Sequence, residues 1–310
     1  MTHCIHKPVL MSEVLAAVLP KPGGRFVDGT VGMGGHAAAI LKASAPTGWL
    51  SGFDRDGAAI ERAGARLAEF AGRFELRRAR FDDMAEWVEA ESCDAVLLDL
   101  GVSSPQLDEG GRGFSFQRDA RLDMRMDQRQ GLTAADIVND ADIDELTRVF
   151  RDLGGERRAR QFARAIERER KMRRIETTGQ LANLLERVAP RRGRRAHPAT
   201  KAFLGLRLEV NDEMGSLRRA LPAAMEVLKP GGRLAVITFH SLEDRIVKRW
   251  GREAERDYDI VGEVDVPELR TPRRPALKRV NRKAISAGES ELNENPRARS
   301  AQLRAFEKLT

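Results

Sequence analysis

The chain has 310 residues, 41% of them hydrophobic, enough to bury a sizeable core in one or two domains and too many for wholesale disorder. A net charge of +7 and a pI near 9.8 point weakly to a polyanionic partner. No apolar run is long enough to span a membrane, residues 1–8 lack the apolar stretch of a secretory signal, and Cys4 and Cys93 are too few for a disulfide framework. A cytoplasmic protein with no membrane partner is therefore expected.

In chain order, Arg25–Asp28 reads as a short strand running into glycines, Gly35–Ala43 as an alanine-rich helix and Trp49–Asp54 as a strand ending in an acid. Residues 57–71 carry Ala, Ile and Leu at helical spacing. A third strand follows at 74–77, a further helix at 82–90 and a fully buried strand at 94–100. This alternation predicts crossover units and a parallel sheet with helices on both faces. Between 108 and 200 no strand is legible, and the arginine-rich segments 142–153, 156–173 and 178–189 read as helices. The α/β texture returns with helices at 201–210 and 213–228, a turn at Lys229-Pro230-Gly231-Gly232, a buried strand at 233–239 and a terminal strand at 300–307. The expected organisation is one α/β domain in two parts, 1–107 and 201–310, split by a basic helical insertion, 108–200. The insertion follows the carboxyl end of a central strand, where open α/β sheets bind ligands.

Charge is concentrated rather than spread. Residues 151–201 hold 16 Lys/Arg against 6 Asp/Glu, a local excess of +10 that exceeds the net charge of the whole chain. Residues 270–283 hold seven Lys/Arg and otherwise only neutral residues. Both runs are expected to contact phosphates, with ordinary solvated surfaces as the plain alternative.

The segment from Val27 to His36 (Val-Asp-Gly-Thr-Val-Gly-Met-Gly-Gly-His) links the first strand to a helix. Glycines suit a backbone that turns tightly against a bound cofactor. Asp54 closes the next strand, 22 residues after Gly32, where a carboxylate can accept both hydroxyls of a ribose. Residues Gly32 to Ala37 also satisfy the dinucleotide pattern, so a nicotinamide cofactor and S-adenosylmethionine are both open. The methyl donor is favoured because no second nucleotide-binding half is legible, and because Leu228 to Leu234 resembles the late helix-turn-strand of class I methyltransferases.

Asp99-Leu100-Gly101-Val102-Ser103-Ser104-Pro105-Gln106 follows the central strand. Amino-group methyltransferases place a polar-Pro-Pro-aromatic signature there to hold the amine, whereas this chain has Gln106 where the aromatic would be. Asp99, Ser104 and Pro105 are the candidate catalytic residues. Cys93 has no neighbouring proline or base, which argues against the thiolate route to a ring carbon. Transfer to an amine or hydroxyl needs no covalent intermediate. Its barrier falls through proximity and alignment, worth up to about 7–11 kcal/mol. The five histidines show no metal spacing, so no metal is expected, and His36 alone stands where a ligand would touch it.

Several stretches together resemble the bacterial MraW/RsmH family of 16S rRNA (cytosine-N4)-methyltransferases. They are His6 to Leu10, Asp28 to His36, Leu97 to Asp108, Gly113 to Phe116 with Leu122 to Met126, Thr238 to Asp244 and Asn295 to Ser300, in the family's order. The resemblance implies a class I (Rossmann-like) methyltransferase domain with an inserted all-helical domain that helps bind rRNA. It implies that Gly34, Gly35, His36, Asp54, Phe81, Asp99 and Gln106 line the S-adenosylmethionine site. The substrate it implies is a cytosine in the decoding centre (P-site region) of 16S rRNA, within the small ribosomal subunit. A homodimer is compatible with it. A methyltransferase acting on another RNA or a non-RNA substrate, and a non-catalytic RNA-binding assembly factor, are the alternatives.

Overall fold

A computed structural model of the chain describes residues 8–101, 110–190, 197–260, 262 and 264–310. The chain forms two compact units, Met1–Gly101 with Gly215–Thr310, and Val102–Met214.

Among its described residues the first unit has ten strands: β1 (Arg25–Asp28), β2 (Trp49–Asp54), β3 (Phe74–Arg78), β4 (Cys93–Asp99), β5 (Leu228–Thr238), β6 (Tyr258–Ile260), β7 (Arg270–Pro272), β8 (Leu277–Arg279), β9 (Ile285–Ser286) and β10 (Gln302–Lys308). Among the described residues, eight of them form one sheet in the order β3-β2-β1-β4-β5-β10-β8, with β9 also on β10; β6 and β7 pair separately. β1 to β5 run parallel, and β10 runs antiparallel to both neighbours. The strand order reverses between β1 and β4, the switch point at which such sheets bind ligands. Helix α1 (Met11–Val18) precedes β1, and helices α2 (Gly35–Ala43) and α3 (Gly57–Leu67) fill the β1–β2 and β2–β3 crossovers.

Adjacent strand residues serve opposite faces, which is why these strands read as continuous apolar runs. Phe26, Leu97 and Ile237 pack with Val14, Ile40, Leu41 and Leu50 on one side. Val27, Val96, Leu98 and Val236 pack with Phe53, Met84 and Leu221 on the other. This is the parallel sheet with crossover helices expected from the alternating pattern.

The second unit is helical: α4 (Ala134–Asp140), α5 (Ile143–Arg148) running into a π-helical turn at Val149–Leu153, α6 (Ala159–Arg170), α7 (Thr178–Val188) and α8 (Thr200–Val210). Thr133 with Asp136, and Thr177 with Gln180, form capping boxes that start α4 and α7. Among the described residues this unit contains no strand, only an isolated bridge between Arg121 and Thr177. The unit ends at Met214 rather than at residue 200 because α8 belongs to its core. Ala202, Phe203 and Leu206 are buried with Phe150, Phe162 and Leu181. Gly205 lies where a Cβ would come within 2.5 Å of the Val149 carbonyl, so the glycine lets α8 press on the π turn.

The remaining helices are α9 (Glu213–Val227), α10 (Ser241–Ala254) and α11 (Glu289–Glu294). Two expectations need correction. Residues 82–90 do not form an α-helix; the chain makes a 3-10 helix at Phe81–Glu86, whose buried Phe81 and Met84 stand three residues apart, the repeat of that helix. The Lys229 to Gly232 turn is absorbed into β5 as an irregularity, with Gly231 at φ 78 and the register against β4 shifting between Cys93 and Ala95.

Candidate active site

Three acids end three neighbouring parallel strands: Asp28 on β1, Asp54 on β2 and Asp99 on β4. The loop after β1 ties them together. Thr30 donates its backbone N–H to Asp28 Oδ1 (3.1 Å), and its Oγ1 accepts the Asp99 N–H (2.6 Å). The Gly29 N–H reaches the Leu97 carbonyl (2.9 Å), stitching the same loop to β4. Asp54 accepts the N–H of Gly32 (3.0 Å) and of Asp56 (2.9 Å), one on each oxygen. A carboxylate has about four acceptor positions, so each oxygen retains capacity for a ligand hydroxyl.

The surroundings shift these acids. Burial pushes Asp28 up to about 7, opposed by His36 and the Thr30 N–H, with Asp99 and Asp54 adding to the rise. Burial also pushes Asp54 up to about 6, opposed by the Asp56 and Gly32 N–H groups. His36, on the first turn of α2, is 5% exposed, and its Nε2 lies 3.5 Å from Asp99 Oδ2. Neither ring nitrogen of His36, nor Oδ1 of Asp99, has a hydrogen-bond partner among the described residues. Buried polar atoms are normally paired. Three that lack a hydrogen bond among the described residues, beside the switch point, therefore suit a polar ligand.

Close packing fixes the shape of the glycine loop. Gly34 is left-handed (φ 73) and caps α2, and a Cβ on it would sit 3.3 Å from Ala63 Cα. Gly35 has the Pro8 ring against it, where a Cβ would fall 2.3 Å from Pro8 Cγ. Through this contact Pro8, ahead of α1, braces the glycine loop. Phe81 is buried, its Cβ would be 3.0 Å from a Cβ on Gly29, and the Arg55 guanidinium lies 6.0 Å from its ring centre.

Six of the sequence-predicted site residues thus gather at the carboxyl ends of β1, β2 and β4 or on the segments that follow: Gly34, Gly35, His36, Asp54, Phe81 and Asp99. Ser104, Pro105 and Gln106 lie outside the described residues. Asp28 and Thr30 belong to the same cluster and escape a search for glycine spacing. Their signal is the Asp-Gly-Thr step at the end of β1, where the strand's last side chain must turn inward.

Cys93 begins β4, at the far end of the strand from Asp99, and burial pushes its thiol up, which disfavours a nucleophilic thiolate. His240 caps α10 by accepting the Glu243 N–H, and His197 packs at a tilt against Phe116 with ring centres 4.6 Å apart. Among the described residues no group of three or more His, Cys, Asp or Glu could hold a metal ion.

Residues 3–309 match the MraW methylase family. The chain belongs to that family. A MraW methylase relative from Syntrophotalea carbinolica, named Ribosomal RNA small subunit methyltransferase H, is 50% identical over 310 residues, covering 98% of each chain. Another of the same name from Symbiobacterium thermophilum is 48% identical over 313 residues, covering 98% of this chain and 96% of the relative. Among solved structures, an rRNA methylase from Streptococcus thermophilus is similar with a TM-score of 0.44 and 12% identity, covering 99% of each chain. As a MraW methylase, the chain is a class I methyltransferase whose methyl donor is S-adenosylmethionine.

Proposed function

We propose that this MraW methylase transfers a methyl group from S-adenosylmethionine to the exocyclic N4 of a cytosine in the decoding centre of 16S rRNA, on the small ribosomal subunit. The relatives' shared name supports small-subunit rRNA as the target. Within the fold, the reading rests on buried polar atoms of His36 and Asp99, beside the glycine loop, that make no hydrogen bond among the described residues. They are what a donor rich in polar groups would satisfy.

In this reading Asp54 accepts the ribose hydroxyls, with its carboxylate held in place by the Gly32 and Asp56 N–H groups. Gly34 and Gly35, which pack against Ala63 and Pro8, hold the loop whose backbone faces the donor. Phe81 packs on the adenine, and His36, Asp99 and Gln106 hold the polar groups at the donor's other end. Bound S-adenosylmethionine supplies a methyl group activated by its sulfonium. Asp99, Ser104 and Pro105 supply the acceptors that hold the cytosine amine and aim its lone pair. The N–C bond forms as the C–S bond breaks, sulfur keeps the electron pair, and the amine proton leaves to solvent or a nearby acceptor. Alignment and removal of water then lower the barrier without a covalent intermediate. The helical unit, 108–200 in the sequence-based division, contributes RNA recognition.

The test is in vitro. Purified protein, small subunits lacking the modification and radiolabelled donor should give label that co-migrates with N4-methylcytidine after nuclease digestion. Label on ring carbon, on a ribose or on a protein would refute the chemistry proposed.

A further inference from the structure

Helix α10 presents a charged face that the candidate active site does not use. Its inner face is fixed by packing: Val247 and Gly251 are buried, and Trp250 meets Phe306 edge-on with ring centres 5.5 Å apart. Asp244 pairs with Arg304 at 2.7 Å, and Glu243 accepts the N–H groups of Phe239 and His240. Just beyond the helix, Glu255 pairs with Arg279. These contacts fix the helix's rotation and occupy its acids, save Glu253.

Arg245, Lys248, Arg249 and Arg252 lie on the outer face, exposed. Their spacing of three, four and seven residues puts them in one stripe, continued by Arg256. The four make no ion pair among the described residues, and with Glu253 and Arg256 they line an open cleft of about 520 Å³. The two basic runs that composition picks out are partly neutralised, whereas the stripe is not. In 270–283, Arg270, Arg273, Lys278 and Arg279 are paired with Asp265, Asp259, Glu307 and Glu255, and Arg274, Arg282 and Lys283 are not in an ion pair among the described residues. Arg151, Arg160, Lys171, Arg174 and Arg187 are also paired with acids.

We propose that the α10 stripe is a docking surface for the phosphate backbone of the substrate RNA. This rests on the reading of the chain as an RNA methyltransferase and adds where the RNA lies. α10 starts just past the carboxyl end of β5, so the stripe begins at the sheet edge that carries Asp28, Asp54 and Asp99. From Arg245 to Arg256 it extends about 17 Å at 1.5 Å per residue. That length matches about five phosphates of one strand in a stacked helix, at about 3.4 Å each. A membrane surface fits less well, since a helix lying on lipid needs an exposed apolar face, and that of α10 is buried against Phe306.

The test uses the full chain with Arg245→Gln, Lys248→Gln, Arg249→Gln and Arg252→Gln combined, and purified small-subunit rRNA as probe. Binding is measured from about 50 to 200 mM salt, the range over which phosphate contacts are lost. The slope of log affinity against log salt should fall by about 3, since each neutralised phosphate contributes about 0.7–0.9. Calorimetric affinity for S-adenosylmethionine and the melting temperature should not change. Arg245→Lys with Arg249→Lys and Arg252→Lys should keep the slope, and Lys42→Gln with Arg66→Gln, exposed cations on other helices, should barely alter it. An unchanged slope in the glutamine variant overturns the proposal. So does loss of binding to phosphatidylserine vesicles or to an acidic protein with RNA binding intact. Methyl incorporation by the unaltered protein is read in parallel. If it is absent from small-subunit rRNA while the slope still falls, the functional reading fails and the docking surface stands.

Discussion

Asp28 and Asp54 show most directly how the site's chemistry arises from its position in the sheet. Each closes a parallel strand, and burial raises them from 3.8 to about 7 and about 6. The folded state therefore holds these protons more tightly than the unfolded chain, and ionisation opposes folding. Stability of the ligand-free protein should fall as pH rises from about 4 to about 7, with the full penalty above that window. The acids held below their usual range, such as Asp82, Asp94 and Asp123, lose their contribution only at more acid pH. Urea unfolding at pH 5 and pH 8 reads the difference. Asp28→Asn keeps an acceptor for the Thr30 N–H and should narrow the gap by about 2–3 kcal/mol, from two pH units at 1.36 kcal/mol each. An unchanged gap would remove Asp28 as its source. Asp54→Ala tests the donor contact. Loss of one or two hydrogen bonds to a charged group, about 1.5–3 kcal/mol each, should raise the S-adenosylmethionine Kd at least tenfold by calorimetry. Undiminished affinity would take Asp54 out of the site.

At the level of elements, legibility follows burial. β1, α2 and β2 have the bounds their residues imply, because each is a short apolar or alanine-rich run closed by glycine or acid. α10 is hidden from periodicity: its apolar positions are few, and its charges read as a solvated surface. It exists because His240 and Glu243 cap it and Phe306 receives its inner face. A Cβ on Gly251 would come within 2.3 Å of Phe306 Cε1, so Gly251→Ala should push the helix off the sheet. Overpacking of this kind costs about 1–3 kcal/mol, to be seen as a lower urea midpoint; an unaltered midpoint would mean that α10 is not seated as described. The Leu122 to Met126 stretch is similar in kind. Its residues carry part of the family resemblance, and they form a clasp in the helical unit, where the Met126 N–H donates to Asn211 Oδ1 and Asn211 Nδ2 returns a bond to the Met124 carbonyl, both at 2.8 Å.

For the whole molecule, the alternating strands and helices, the helical insertion and the cofactor class are legible in the sequence, because parallel sheets leave continuous apolar strands and the glycine loop sits at a fixed place among them. The unit boundary at Met214 is less so, since α8 has the same helical texture whichever core it joins. Local charge misleads too: a run of arginines says little until its acids are located, and they come from distant strands and helices. The central claim is that this chain places the N4 methyl group on a decoding-centre cytosine, and mass mapping of small-subunit rRNA tests it most directly. rRNA from a strain lacking the chain should lack one methyl group on that cytosine, and the mass should return with the intact protein but not with Asp54→Ala. A cytosine that stays N4-methylated without the chain, or a missing methyl group elsewhere in the rRNA, would contradict it.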